Sequence, residues 1–370
     1  MKAEIRYRGL DPRAIGEVSM QISSARRVLL ALLPVVVLCT LGHEAKAAET
    51  GEVNVYSYRQ PYLIDPLFKK FTEETGIRVN VIYAEKGLIE RMAAEGRNSP
   101  ADVLLTTDVG NLTQAKDADI GQSPNSKELE EEIPAAYRDK DGIWWGLSRR
   151  ARVVYASKDR VKQDQITYEE LADPKWRGKI CIRSGQHVYN VALIASMIAA
   201  HGEEKTEEWL KGMKANLARK SAGDDRMQVK GVYSGECDLA IGNTYYMGAM
   251  LKNEKEPVQK EWANSVNMLF PNTNERGTHV NLSGAVLAKN APHREDGVKL
   301  MEFLASDEGQ EMYADVNNEY PVKEGVPWSP LVQSWGSFKS DPISLNEVAA
   351  LRKKASELVD KVGFDDGPSS

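Results

Sequence analysis

The sequence predicts an α/β protein made of two units, with a ligand-binding cleft between them. The chain has 370 residues, which is more than one small domain needs. Two stretches alternate short apolar strands with amphipathic helices, a pattern typical of a mostly parallel sheet covered by helices. Ligands of such sheets bind at the carboxyl ends of strands and at domain interfaces. The cleft is therefore the predicted functional site.

The first unit opens with strand, helix, strand, helix and strand, predicted at residues 53–56, 62–75, 77–83, 88–95 and 102–106. Leu63, Leu67 and Phe71 recur every four residues along the first helix, as one buried helical face requires. Gly76 and Gly96 follow the two helices, where glycine ends helices readily because it tolerates a left-handed backbone.

The second unit and the segments after it continue the alternation. Strands are predicted at residues 143–146, 152–155, 180–183, 237–241 and 279–289. Helices are predicted at residues 188–201, 203–217, 225–233, 245–251, 297–304, 308–316 and 345–362. The order of these elements predicts a second α/β unit of comparable size.

Residues 1–48 are predicted to be an export signal rather than part of the fold. A pair of arginines precedes an apolar run at residues 29–41, and residues 45–47 read AKA, a cleavage signature. The run is short for a membrane span, and a buried helix or an uncleaved anchor is the alternative. Residues 1–18 are charged and unlike a signal peptide, so Met20 is a candidate for the true start.

Composition and motifs favour a binding protein over an enzyme or a nucleic-acid-binding protein. The chain carries 48 Lys and Arg against 54 Asp and Glu, so it has no basic excess for phosphate contacts. The sequence has no HExxH, GxSxG, Walker A or GxGxxG motif. Cys181 and Cys237 lie in or beside predicted strands, and they either pair in an oxidising compartment or remain as two buried thiols.

Three tyrosines lie where strands give way to helices. Tyr245 and Tyr246 follow the strand at 237–241, and Tyr189 lies at the start of the helix after the strand at 180–183. Phenolates are hard oxygen donors that suit a trivalent ion such as ferric iron. The alternative for the pair is an aromatic cleft wall or a sugar or amine site, and for Tyr189 it is a half-buried helix aromatic.

Two further features point to an anion. Residues 183–186 (RSGQ) lie between a strand and a helix, where free N–H groups and the helix dipole attract negative charge. A plain serine cap is the alternative. Arg150 and Arg152 are two residues apart on a strand and share a face, so they form either an anion clamp or a surface ion-pair row.

Several segments together resemble a known family: VNVYSYRQPYLIDPLFKKFTEETGI (53–77), SPADVLLTTDVGNL (99–112), GLSRRARVVY (146–155), KICIRSGQHVYN (179–190) and NLARKSAGDDRMQVKGVYSGECDLAIGNTYYMG (216–248). The chain is similar from about residue 52 to residue 366 to the periplasmic ferric-ion-binding proteins of bacterial ABC iron uptake systems. The resemblance implies a two-lobed, hinged periplasmic-binding-protein fold of type II that closes on Fe(III) in the interlobe cleft. It also implies a monomer that delivers iron to an inner-membrane ABC permease with its ATPase.

The lobes implied by the resemblance are residues 49–149 plus about 275–325, and residues 150–274 plus about 326–370. We expect the hinge strands near residues 150–155 and 271–280. A binding protein of the same fold for an organic anion, polyamine or vitamin is the alternative function.

The resemblance also assigns residues. The family's tyrosine pair matches Tyr245 and Tyr246, and its third tyrosine matches Tyr189. One branch uses a His and a Glu, where this chain has Gln60 and Thr107, so the three-tyrosine branch is favoured, in which carbonate or a similar small anion completes the coordination. The implied anion-binding residues are Gln60, Arg150, Arg152 and Ser184, with Tyr58 and Asp108 as further candidates.

Overall fold

The computed structural model describes residues 51–368. The predicted signal peptide at residues 1–48 and the alternative start at Met20 lie outside the described residues. None of the described helices is long and apolar enough to cross a membrane.

Within residues 51–368 the chain forms ten strands: β1 (Glu52–Ser57), β2 (Arg78–Tyr83), β3 (Val103–Thr106), β4 (Gly121–Gln122), β5 (Trp144–Ser157), β6 (Ile180–Cys181), β7 (Leu239–Asn243), β8 (Val266–Leu269), β9 (Val280–Ala288) and β10 (Tyr320–Pro321). The same residues form fourteen α-helices: α1 (Pro61–Thr75), α2 (Leu88–Glu95), α3 (Val109–Asp117), α4 (Lys127–Glu132), α5 (Val188–His201), α6 (Glu203–Asn216), α7 (Asp225–Tyr233), α8 (Tyr245–Leu251), α9 (Val258–Asn264), α10 (Arg294–Ala305), α11 (Asp307–Val316), α12 (Pro330–Gln333), α13 (Leu345–Ala350) and α14 (Arg352–Val362).

The opening β-α-β-α-β order is confirmed, and so are the bounds predicted for α2, α5, α7 and α8. Gly76 ends α1 with a left-handed φ of 72°, as its lack of a side chain allows. The predicted helix at residues 345–362 is instead two helices, α13 and α14, with Leu351 between them. Residues 345–362 contain no proline or glycine. Their apolar periodicity therefore continues across Leu351 and predicts a single helix.

The strands are ordered β2-β1-β3-β9-β5-β7-β6, with β4, β8 and β10 pairing at the sides. Strand β1 is parallel to β2 and β3, and β6 is parallel to β7, as the alternating pattern predicts. Strands β5 and β9 are antiparallel to their neighbours. The prediction of a mostly parallel sheet is therefore wrong for the centre of the molecule, where the sheet is mixed.

Strand β5 connects the two parts of the sheet. Residues 143–146 and 152–155 are predicted as separate strands. Strand β5 is continuous, because the polar residues between them form backbone pairs with β9 and β10. Up to Ala151 the strand pairs with β9, and from Arg152 onward it pairs with β7. Arg150 and Arg152 therefore flank the point at which β5 changes partners.

Buried apolar side chains form three clusters, one on one side of this point and two on the other. The first packs α1, α2, α3, α10 and α11 against β1, β3 and β9, with Phe71, Leu105 and Leu300 at its centre. The second and third lie around β5, β6 and β7 and include Trp209 and Trp262. Burial of such side chains is the main stabilising contribution to each part.

A disulfide joins Cys181 on β6 to Cys237, just before β7. The sequence leaves this pairing open, and the parallel pairing of β6 with β7 explains it, since it brings the two strand starts side by side. Gly231 on α7 faces both sulfurs, because a Cβ there would lie 2.9 Å and 3.0 Å from them.

The double substitution Cys181→Ala/Cys237→Ala is expected to lower the free energy of unfolding by about 4 kcal/mol, since the bond closes a loop of 56 residues. Urea unfolding monitored by tryptophan fluorescence measures the change. Reduced wild-type protein should match the variant, and unchanged stability under reducing conditions would contradict the prediction.

Candidate metal and anion site

A cavity of about 740 Å³ opens between the β1–α1 loop and the starts of α5 and α8. The predicted residues among those that line it are Tyr58, Gln60, Arg150, Tyr189, Tyr245 and Tyr246. Other charged residues at its wall are Arg59, Glu85, Lys86, Glu90, Arg183, Asp224, Arg226 and Glu319.

Local structure places the three tyrosines together. Strands β6 and β7 are parallel neighbours, so their carboxyl ends meet at one edge of the sheet. Tyr189 lies in the first turn of α5, and Tyr245 and Tyr246 begin α8 directly after β7. His187 caps α5 by accepting a hydrogen bond from the Tyr189 N–H at 3.3 Å.

The phenol groups of the tyrosines are in direct contact. The Tyr245 hydroxyl donates to the Tyr189 hydroxyl oxygen at 3.1 Å. The rings of Tyr245 and Tyr246 lie 4.4 Å apart, centroid to centroid. Two oxygens on one metal with bonds of about 2 Å are about 3 Å apart, so Tyr189 and Tyr245 are spaced as neighbouring ligands.

Burial raises the pKa of Tyr245 and Tyr246 well above the ordinary tyrosine value, and the neighbouring Tyr189 raises both further. Both phenols are therefore neutral at physiological pH unless a cation replaces their protons. Within residues 51–368, no group of three or more His, Cys, Asp or Glu side chains is placed to hold a metal.

Three arginines surround the Tyr189 ring. The guanidinium carbons of Arg183, Arg150 and Arg152 lie 5.2, 5.5 and 5.9 Å from its centroid. These are cation–π contacts, which place three positive charges against one aromatic ring.

Asp225 holds two of these arginines in place. Its carboxylate accepts hydrogen bonds from Arg152 at 2.6 Å, Arg183 at 3.3 Å and the Asn243 backbone N–H at 2.9 Å. Burial opposes ionisation of Asp225, yet the two arginines hold its pKa below the ordinary value. Burial and the nearby Arg183 lower the pKa of His187 to about 3, so His187 is neutral at physiological pH.

The predicted anion-binding residues have different surroundings. Gln60 and Arg150 line the cavity. Arg152 does not line it, because its terminal nitrogens bond to Asp225, Asn243 and Asn190. Ser184 donates to Asp365 and does not line the cavity either.

The two further candidates also differ. Tyr58 lines the cavity, and its hydroxyl accepts from the Ile89 N–H at 3.0 Å. Asp108 is buried at the start of α3, where it accepts from Asn281 at 2.9 Å and Arg352 at 3.1 Å. One of its oxygens is 3.9 Å from Arg150, so Asp108 lies behind that arginine rather than in the cavity.

The sequence does not reveal one charged pair in the cavity wall. Arg59 is buried, donates to Ser283 and lies 3.2 Å from the Glu319 carboxylate. Arg150 donates to the same Ser283 oxygen at 3.1 Å. In the sequence, the only indication that Arg59 belongs to the site is its position in the loop after β1. No local pattern indicates Glu319.

Comparison with known proteins identifies a family and several relatives. Residues 66–340 match the family described as bacterial extracellular solute-binding protein. The chain is 46% identical over 318 residues to iron uptake protein A1 of Synechocystis sp., covering 85% of this chain and 88% of that protein.

Solved structures agree with this relationship. Apo ferric ion-binding protein A of Pasteurella haemolytica is 51% identical and superposes with a TM-score of 0.81, over 85% of this chain and 99% of that one. The Trichodesmium protein IdiA (FutA), solved with iron and citrate ligands, is 43% identical with a TM-score of 0.81, over 85% and 100% of the two chains.

Proposed function

The chain belongs to the bacterial extracellular solute-binding protein family, and we propose that this member captures Fe(III) through Tyr189, Tyr245 and Tyr246 and delivers it to an inner-membrane ABC permease. The observation that carries the proposal is the contact between the Tyr189 and Tyr245 hydroxyls, with Tyr246 beside them, at the wall of one cavity. The iron uptake and ferric-binding relatives support the choice of cargo.

Charge balance explains why the site suits a trivalent ion. Three phenolates neutralise Fe(III), and an added anion makes the site negative. The arginines around Tyr189 then offset that charge. A divalent ion with the same ligands leaves more negative charge uncompensated, so the site favours ferric over ferrous iron.

The second part of the proposal is that carbonate or a similar small anion completes the iron coordination beside Gln60 and Arg150. Arg150 is 2% exposed, and its Nε and Nη2 atoms have no hydrogen-bond partner. Unpaired buried donors of this kind are costly unless a ligand accepts from them. The Trichodesmium relative was solved with iron and citrate ligands, which supports an oxygen-donor anion as a companion of the iron. Arg152 and Ser184 bond to Asp225 and Asp365 instead, so this part of the proposal does not include them.

Substitution of Arg150 tests the anion. Arg150→Gln is expected to reduce the gain in iron affinity on adding bicarbonate by at least about tenfold, as for loss of a residue that supports a metal ligand. Iron titrations with and without bicarbonate measure it. Arg149→Gln is the matched control, because Arg149 contacts Tyr137 and Pro321 instead. An equal bicarbonate effect in both variants would contradict the assignment.

The proposed function itself is tested by titrating iron-free protein with chelated Fe(III) and recording visible absorption. A red-orange band that saturates at one iron per chain supports phenolate-bound iron. Absence of a band would overturn the iron proposal and favour a small organic ion in the same cavity.

Export and lobe closure belong to the same proposal. The matched family is extracellular by description, which supports cleavage of residues 1–48 and a periplasmic location. We propose that the protein acts as a monomer. We place the lobes at residues 49–149 plus 275–325 and 150–274 plus 326–370, hinged where β5 changes partners after Ala151. Iron loading is expected to reduce the radius of gyration in solution scattering. An unchanged radius would contradict the hinge.

A further inference from the structure

A second, much smaller cavity lies behind Tyr189. Its volume is about 10 Å³, and it is lined by Arg150, Arg152, Tyr189, Asn243, His279 and Asn281. A space of about 10–15 Å³ holds a single water-sized occupant. Carbonate, sulfate and citrate are therefore too large for it, which separates this cavity from the proposed anion site beside Gln60.

The residues around this cavity carry a cluster of unpartnered nitrogens. Arg150, Arg152, Asn243 and His279 are each 2–3% exposed. The nitrogens without a hydrogen-bond partner are Arg150 Nε and Nη2, Arg152 Nε, Asn243 Nδ2 and His279 Nε2. Buried polar groups are rarely left unpaired, so an occupant that satisfies these atoms is expected.

Hydrogen-bond arithmetic favours an anion over a water molecule. Arginine nitrogens and the asparagine Nδ2 only donate. With one Arg150 nitrogen reserved for the larger cavity, Arg150, Arg152 and Asn243 still present three donor nitrogens. His279 Nε2 does not decide between the two occupants, because its neutral ring either accepts a proton from a water or, in the other tautomer, donates to an anion. A water accepts about two hydrogen bonds, one fewer than these three donors offer, and must also place its second proton. A monatomic anion accepts from every donor and places none.

The local charge also requires a negative partner. Asp225 is shared between Arg152 and Arg183. Asp108 is shared between Arg352, at 3.1 Å, and Arg150, at 3.9 Å. Arg150 and Arg152, each 2% exposed, therefore share their two carboxylates with Arg183 and Arg352, which are partly exposed. Because charges buried without a counter-charge are strongly unfavourable, the excess positive charge favours an anion.

We propose that this cavity is a halide site, occupied by chloride in the iron-free protein. The ion contacts Arg150, Arg152 and Asn243 and is separate from the iron and its accompanying anion. It binds without iron, and bicarbonate does not displace it because a polyatomic anion does not fit.

Crystals of iron-free protein grown in sodium bromide test the proposal. We expect one anomalous bromide peak in the cavity behind Tyr189, unchanged by added bicarbonate. Density without anomalous signal would identify a water and overturn the proposal. Because no iron is present, this result is independent of the proposed function.

A substitution makes the test specific. Asn243→Asp replaces the donor nitrogen with a carboxylate oxygen, which supplies the missing negative charge and retains an acceptor for Arg152. Bromide occupancy is expected to fall at least about tenfold, because the new carboxylate repels the ion. Lys86→Gln, an exposed residue in the wall of the larger cavity, should leave the peak unchanged. A peak retained in Asn243→Asp would overturn the site.

If Asn243→Asp does not fold, the wild-type protein still decides the question in solution. Chloride exchange at a protein site broadens the ³⁵Cl NMR signal, and bromide should reverse the broadening by competition. Broadening that bromide does not reverse would contradict a halide site.

Discussion

Tyr245→Phe is expected to abolish the visible phenolate–iron band or shift it strongly, and to weaken Fe(III) binding by more than about 10²-fold. The lower bound is the loss typical of residues that only support a metal ligand, and Tyr245 is proposed to be a ligand itself. The phenylalanine ring keeps the contact with Tyr246 at 4.4 Å between ring centroids, so the change removes the oxygen and little else. Absorption titration and competition with a chelator measure the two effects.

Tyr189→Phe and Tyr246→Phe are also expected to lose or shift the visible band and to weaken Fe(III) binding. Any double variant should bind Fe(III) more weakly than either single variant. Tyr233→Phe is the matched control, because Tyr233 is 44% exposed and bonds to Glu261 outside the cavity. If Tyr189→Phe and Tyr245→Phe keep the wild-type band and affinity, the tyrosines are a cleft wall and the iron proposal fails.

Acidification is expected to weaken Fe(III) binding by at least about 100-fold per pH unit, since Tyr245 and Tyr246 must each release a proton. Burial raises the pKa of both phenols, so both are protonated in the iron-free protein throughout the neutral and acidic range. Each proton that iron displaces contributes a factor of ten per pH unit below the phenol pKa. The sign is therefore fixed: affinity rises with pH and falls with acid.

Competition with a chelator between pH 5 and pH 7.5, corrected for the chelator's own protonation, measures this slope. Tyr245→Phe should reduce the slope by about one factor of ten per pH unit, since one fewer phenol loses a proton. A dependence shallower than tenfold per unit in the wild-type protein would exclude phenolate ligation by both residues.

Local patterns were sufficient to predict much of the fold. Helix α5 and helix α8 begin and end where apolar periodicity and strand ends place them, which also located Tyr189 and Tyr245 at helix starts. Short polar elements were missed. Helix α3, for example, has little apolar periodicity and depends on Asp108, which caps it by accepting from the Gly110 N–H at 2.8 Å.

Local sequence patterns did not predict which distant strands pair with each other. The run Ser148 to Arg150 falls between two predicted strands, yet it lies within β5 because β9 and β10 pair with it. The sheet order around β5 depends on which strands meet, and side chains alternate between the two faces of a strand whether its neighbours are parallel or antiparallel.

The sequence by itself determined the α/β class and the order of the main elements, because periodicity, caps and strand ends are local features. The resemblance to ferric-ion-binding proteins added the three tyrosines as the candidate donor set. Only the tertiary structure decided that Arg152 is committed to Asp225, that Ser184 bonds to Asp365 and that Arg59 pairs with Glu319. These contacts join residues far apart in the chain. Which donor meets which acceptor depends on how the elements pack, and no spacing in the sequence encodes that.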